Sequence, residues 1–161
     1  MFYTSTRSRK NIESARAIAQ GIAEDGGLFV PESFPRLTPG LIERMAGMSY
    51  KERAVAVLSR YLTDYTDAEL RRCVDGAYTG TFDNDEPAPL REVLPGVNLL
   101  ELWHGPTCAF KDIALQLLPH LLTTAAAKTA PGRTMVILVA TSGDTGKAAL
   151  DGFADVENTR I

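Results

Sequence analysis

The sequence predicts an α/β protein in two parts: a mainly helical unit over residues 1–86, and over 87–161 the start of a domain built on a parallel sheet. Three observations carry this. Ser49 with Glu52, and Thr66 with Glu69, are capping boxes, each followed by apolar residues at helical spacing. Between them and the second part, residues 83–96 (DNDEPAPLREVLPG) shift to acidic residues, prolines and a glycine, the composition of a connection. Beyond it the pattern alternates strand, turn, helix, strand, turn, helix, which argues for parallel strands with helical crossovers.

Taken in order, residues 11–23 place Ile12, Ala15, Ile18, Ala19 and Ile22 on one face and predict an amphipathic helix ended by Gly26 and Gly27. Leu28, Phe29 and Val30 read as a short extended segment. Pro31, Pro35 and Pro39 make 31–40 irregular, because each removes a backbone donor. The first capping box opens a helix through Tyr61 and Leu62, and the second opens one over about 67–77. In the second part the expected elements are a strand over 99–103, a helix over 112–127, a strand over 135–140 and a helix over 145–154. Pro119 should bend or divide the long helix near Leu118. Residues 155–161 read as the approach to a further strand, and a sheet of two or three parallel strands leaves apolar edges uncovered and open to self-association.

Composition narrows the function. The 161 residues are 45% hydrophobic and 23% charged, with a formal net charge of −3 and a pI near 5.4. That is ordinary globular content with no basic footprint for nucleic acid or an anionic membrane, so small molecules are the expected partners. Cys73 and Cys108 stand in no zinc-ligand or disulfide pattern, so no metal is expected. The first ten residues lack the apolar stretch of a signal peptide, and no run approaches a membrane span. The expected setting is the cytoplasm.

Two segments carry chemistry. Val136-Ile-Leu-Val-Ala140 is a continuous apolar run, and Thr141, Ser142, Gly143, Asp144, Thr145 and Gly146 follow it directly before a helical stretch. Unpaired N–H groups and the positive end of the dipole at a helix start attract a carboxylate or phosphate, and the glycines permit close approach. The ordinary alternative is a tight turn in which Ser142 or Asp144 caps the helix. A Walker loop is excluded, because Thr141 and Ala148 replace the glycine and the Ser or Thr it needs. The other segment, His104-Gly-Pro-Thr-Cys-Ala-Phe-Lys-Asp112, sets one lysine where a stiff turn becomes a helix. Lys111 is either a solvated charge or an amine held in an apolar pocket, where partial deprotonation makes it a nucleophile toward a carbonyl.

The pair of segments Leu100-Glu-Leu-Trp-His-Gly-Pro-Thr-Cys-Ala-Phe-Lys-Asp112 and Ala140-Thr-Ser-Gly-Asp-Thr-Gly146 resembles the threonine synthase family. Tyr3-Thr-Ser-Thr-Arg7, Asp25-Gly-Gly-Leu-Phe-Val-Pro-Glu32, Tyr78, Thr81-Phe82 and Ala88-Pro-Leu90 agree with it. The resemblance implies a fold-type II, tryptophan synthase β-like enzyme that uses pyridoxal 5'-phosphate to convert O-phosphohomoserine and water to threonine and phosphate. It further implies that Lys111 forms the Schiff base with the cofactor and shuttles protons, and that Phe110 and Asp144 lie by the cofactor ring. Residues 141–146 would hold the substrate carboxylate. In this family the loop gripping the cofactor phosphate comes later than residue 161, so the chain is expected to be an N-terminal portion, inactive alone. Ser8, Trp103, Cys108 and Lys147 depart from the family pattern, and Lys147 is expected to crowd or charge the helix start. The alternatives are a non-catalytic anion-binding or interaction module that keeps the motifs, or another enzyme of the same cofactor fold such as a threonine dehydratase or a sulfhydrylase.

Overall fold

The computed structural model describes residues 1–141 and 143–161. The chain starts with a three-stranded antiparallel sheet of order β2-β1-β3, formed by β1 (Phe2–Ser5), β2 (Asn11–Glu13) and β3 (Phe29–Pro31). The helix expected over 11–23 is therefore shorter: residues 11–13 pair with β1, and α1 is Ser14–Gln20. Gly21, at φ +75, closes it by donating its N–H to the Ala17 carbonyl, a left-handed end that costs glycine nothing.

Four helices build the core: α1, α3 (Tyr50–Tyr61), α4 (Asp67–Tyr78) and later α6 (Leu118–Thr129), while α2 (Pro39–Ala46) lies outside it. Both capping boxes close as the sequence predicts, with Ser49 and Thr66 each bonded reciprocally to the glutamate three residues on. The helix α2 falls partly in the stretch expected to be irregular. Pro39 occupies its first turn, where the missing N–H would have had no acceptor, so there the proline starts a helix.

Leu70, Cys73, Val74 and Ala77 of α4 are completely buried against Val55 of α3, Ala15 of α1, and Leu121 and Ala125 of α6. One core thus runs across residue 87. Tyr65 and Tyr78 cross it, and their hydroxyls donate to the Leu121 and Ile113 carbonyls at 2.9 and 2.8 Å. Desolvation pushes both phenols well above their usual pKa.

The acidic connection is docked onto this body. Pro87 is fully buried, Phe82 belongs to the core, and the Glu86 carboxylate pairs with the Arg53 guanidinium. Its second half is a strand, β4 (Leu90–Leu94), which pairs antiparallel with β5 (Val97–Leu100) across Pro95 and Gly96. Gly96 has φ +76, so the proline and glycine read as linker residues are a hairpin turn. The strand expected over 99–103 begins two residues earlier and finds its neighbour in β4.

The helix expected over 112–127 is divided where the sequence placed the break, into α5 (Asp112–Leu115) and α6, with Pro119 in the first turn of α6. The parallel pair comes last. β6 (Met135–Val136) pairs with β7 (Thr159–Arg160), and between them runs α7 (Asp144–Gly152). The expected strand over 135–140 is thus cut short. Residues past Ile137 have no partner strand among the described residues, and Leu138 is 92% exposed.

α7 lies directly on α5. A Cβ built at Gly152 would stand 2.2 Å from the Leu115 carbonyl oxygen, a backbone atom with nowhere to go. Gly152→Ala is expected to destabilise the chain by about 1–3 kcal/mol, measured as a fall in the urea midpoint followed by circular dichroism.

Candidate active site

The segments quoted for the family resemblance come together in pairs. Asp25 accepts from Ser5 Oγ at 2.7 Å and from the Gly27 N–H at 2.9 Å, bonds that hold its carboxyl below the usual range. The Arg7 guanidinium donates to the Asp25 carbonyl at 3.2 Å. Arg7 and Asp25 thus fasten the end of β1 to the turn before β3.

The lysine-bearing loop has its own interior. Asp112 is completely buried at the start of α5, and its carboxylate accepts from both the N–H of Thr107 (2.9 Å) and the Thr107 hydroxyl (2.7 Å). Gly105 makes room, since a Cβ there would come within 2.4 Å of the Asp112 side chain. Between them the chain turns tightly, with the Cys108 N–H donating to the Gly105 carbonyl and Cys108 at φ +57. Cys108 is exposed, and the small apolar residue buried here is Ala109.

Lys111 immediately precedes α5 and is half-buried. Its Nζ lies 4.6 Å from the centre of the Phe110 ring, and among the described residues no carboxylate pairs with it. Phe110 is 57% exposed, so it is a surface-facing ring beside the amine and not a core residue.

The second segment meets the first through α7. Lys147 Nζ donates to the Thr107 carbonyl at 3.2 Å, Gln116 donates to Asp151 at 2.7 Å, and Gly152 abuts Leu115. α7 therefore runs alongside residues 107–115 in the same direction, and the starts of α5 and α7 face one end of the fold. Lys147, expected to charge the helix start, instead ties it to the lysine loop.

At the start of α7 the Thr141 hydroxyl accepts from the Gly146 N–H at 2.8 Å. A Cβ at Gly146 would lie 2.8 Å from that oxygen, so this glycine admits the threonine side chain and not a ligand. The N–H groups of Asp144 and Thr145 have no intrahelical acceptor by helix geometry. Thr141, Gly143 and Asp144 are exposed, and Thr145 is half-buried. Thr141, Gly143, Gly146 and Lys147 line a concavity of about 690 Å³ together with Val139 and Leu150. Ser142, named with them from the sequence, lies outside the described residues.

Sequence reasoning did not find the cluster around His104. Its Nδ1 is 2.7 Å from an Asp83 carboxylate oxygen and its Nε2 2.8 Å from one of Glu101. His104 is therefore a histidine between two acids. Nothing in the spacing announces Asp83, which is 21 residues away.

Comparison with known proteins finds relatives among the threonine synthases. Residues 2–78 match the family model described as threonine synthase N terminus. The chain is 42% identical, over its whole length, to 34% of the threonine synthase of Pseudomonas aeruginosa. It is 45% identical over 87% of its length to 19% of the mouse protein named threonine synthase-like 1. In three dimensions it superposes with a TM-score of 0.91 on a pyridoxal phosphate-bound threonine synthase from Brucella melitensis, at 40% identity, covering 99% of this chain and 34% of that one. The chain corresponds to the N-terminal portion of the threonine synthases. It has their fold-type II architecture and spans about a third of the threonine synthases it matches. Among the described residues no helix is long and apolar enough to cross a membrane, and no group of acidic, histidine and cysteine side chains is placed to hold a metal ion.

Proposed function

We propose that this chain supplies the lysine and the substrate-carboxylate cradle of a threonine synthase, which converts O-phosphohomoserine and water to threonine and phosphate. The observation that carries the reading is the meeting of two helix starts. Lys111, its amine unpaired by carboxylate, stands at the start of α5, and the Lys147–Thr107 bond holds the start of α7 to the same end.

The donor set fits pyridoxal phosphate: an amine for the aldehyde carbon, an aromatic ring beside it, and N–H and hydroxyl groups for an anion. Lys111 and Phe110 would hold the cofactor, with Asp144 near its ring. When bound, the cofactor supplies an electron sink for negative charge developing beside the amino-acid nitrogen. Thr141, Gly143, Thr145 and Gly146, with Asp144, form the turn that receives the substrate's α-carboxylate. In that turn the exposed N–H groups do the binding, while the Thr141–Gly146 bond fixes its shape. Lys111 then takes and returns protons at Cα and Cβ, while the turn fixes the other end of the substrate. Residues 1–86 supply the packing that holds residues 87–161 in place. With Cys73 and Cys108 both free thiols, the setting is the reducing cytoplasm.

The test is a chimera in which this chain replaces the matching third of the P. aeruginosa threonine synthase. Borohydride reduction in the presence of pyridoxal phosphate, followed by peptide mapping, is expected to fix the cofactor on Lys111. Fixation on any other lysine overturns the assignment, and phosphate binding with no fixation at all favours the non-catalytic module.

A further inference from the structure

His104 stands immediately before Gly105, the residue on which the buried Asp112 rests. It is nearly covered, with 14% of its side chain exposed, and both ring nitrogens point at carboxylates: Nδ1 at Asp83 and Nε2 at Glu101. A neutral imidazole carries a single N–H and can donate to only one of them. Only the imidazolium donates to both, so this geometry belongs to the charged ring. The backbone adds a third tie, since the Asp83 N–H donates to the His104 carbonyl at 3.0 Å. The other charged group facing the cluster is Arg91 of β4, whose guanidinium lies 3.7 Å from Glu101.

We propose that His104 is a positioning residue, a protonated clasp between Asp83 and Glu101 that pins the start of the 104–112 loop and through it the place of Lys111. The inference rests on the reading that Lys111 carries the cofactor chemistry. The path is short: His104 fixes Gly105, Gly105 abuts Asp112, and Asp112 holds Thr107 and directly follows Lys111.

The clasp has a definite pH sense. The hydrogen bond to Glu101, opposed by desolvation and aided by Asp83, raises the imidazole pKa. A group with a raised folded-state pKa contributes fully below its unfolded value of about 6.5 and loses that contribution as pH rises through the folded value. The loop is therefore held in acid and at neutrality and loosens on the alkaline side.

The chain has two histidines, which makes the test direct. In the ¹⁵N spectrum of this chain, His104 is expected to show two protonated ring nitrogens at pH 7 and to titrate above the free imidazole. His120, packed against Gly76 with its pKa lowered by burial, serves as the internal contrast. Hydrogen exchange at Thr107, Cys108 and Asp112, corrected for intrinsic pH dependence, is expected to lose about two- to fivefold protection as His104 deprotonates, the factor for a partly exposed ion pair. His104→Asn and His104→Gln should flatten that dependence while leaving the exchange of α4 unchanged. A neutral His104 at pH 7, or a pH profile identical in the variants, overturns the clasp. Failure of cofactor fixation on Lys111 in the chimera, with the imidazolium and the exchange profile as expected, overturns the catalytic reading and leaves the clasp standing.

Discussion

Lys111→Ala in the chimera with the P. aeruginosa enzyme is expected to remove borohydride fixation and to lower turnover by at least about 10²- to 10⁴-fold, the range lost with proton transfer alone. The loss should fall on kcat and not on substrate affinity, because the carboxylate turn at the start of α7 is separate from the amine. Lys111→Arg is the sharper variant. It keeps the positive charge 4.6 Å from the Phe110 ring, but a guanidinium that stays protonated can neither attack a carbonyl nor accept a proton. If arginine restored turnover, Lys111 would be acting as a fixed charge and the nucleophile would lie elsewhere. Steady-state kinetics across substrate concentration, with the absorbance of the cofactor followed in parallel, separates the two. Added ethylamine should recover part of the alanine variant's activity, since the cavity left by the side chain can admit a small amine.

How much of this was legible in the sequence depends on the range of the interaction. Capping boxes are local, so Ser49–Glu52 and Thr66–Glu69 announced their helices and both form. Proline and glycine carry opposite meanings in different places. Pro39 was read as a breaker and starts α2, and Pro95 with Gly96 was read as a linker and turns the β4–β5 hairpin. The apolar run after Met135 was read as a strand through residue 140. A parallel strand needs neighbours from distant sequence, and within this chain β7 supplies only a two-residue pair.

The same division holds at the site. Lys111 and the turn before α7 could be named from residue types at a strand end or helix start. What joins them could not. Lys147 looked like a charge misplaced at an anion cradle, and it is the tie to Thr107. His104 offered no pattern because its partners stand 21 and 3 residues away on the connection and on the segment after β5. Asp112 stood in the sequence only as the residue after Lys111, and it is completely buried.

That burial makes Asp112 the most sensitive single position for stability. Asp112→Ala is expected to cost about 3–5 kcal/mol, because it strands the Thr107 N–H and hydroxyl in a site closed to water and removes two hydrogen bonds to a charged acceptor. At roughly 2–4 °C per kcal/mol for a chain of this size, the melting temperature should fall by about 6–20 °C. Asp112→Asn should cost less, since its oxygen can still accept from one Thr107 donor and its amide can donate to the threonine oxygen. Thr107→Val removes one of the two donors and leaves the carboxylate with the other, so it belongs between the wild type and Asp112→Ala. Thermal unfolding of the four proteins by circular dichroism orders them. A loss under about 1 kcal/mol for Asp112→Ala would mean that water enters the loop and satisfies Thr107. In that case the loop would not be rigid, and neither Gly105 nor His104 could transmit a fixed position to the neighbouring lysine.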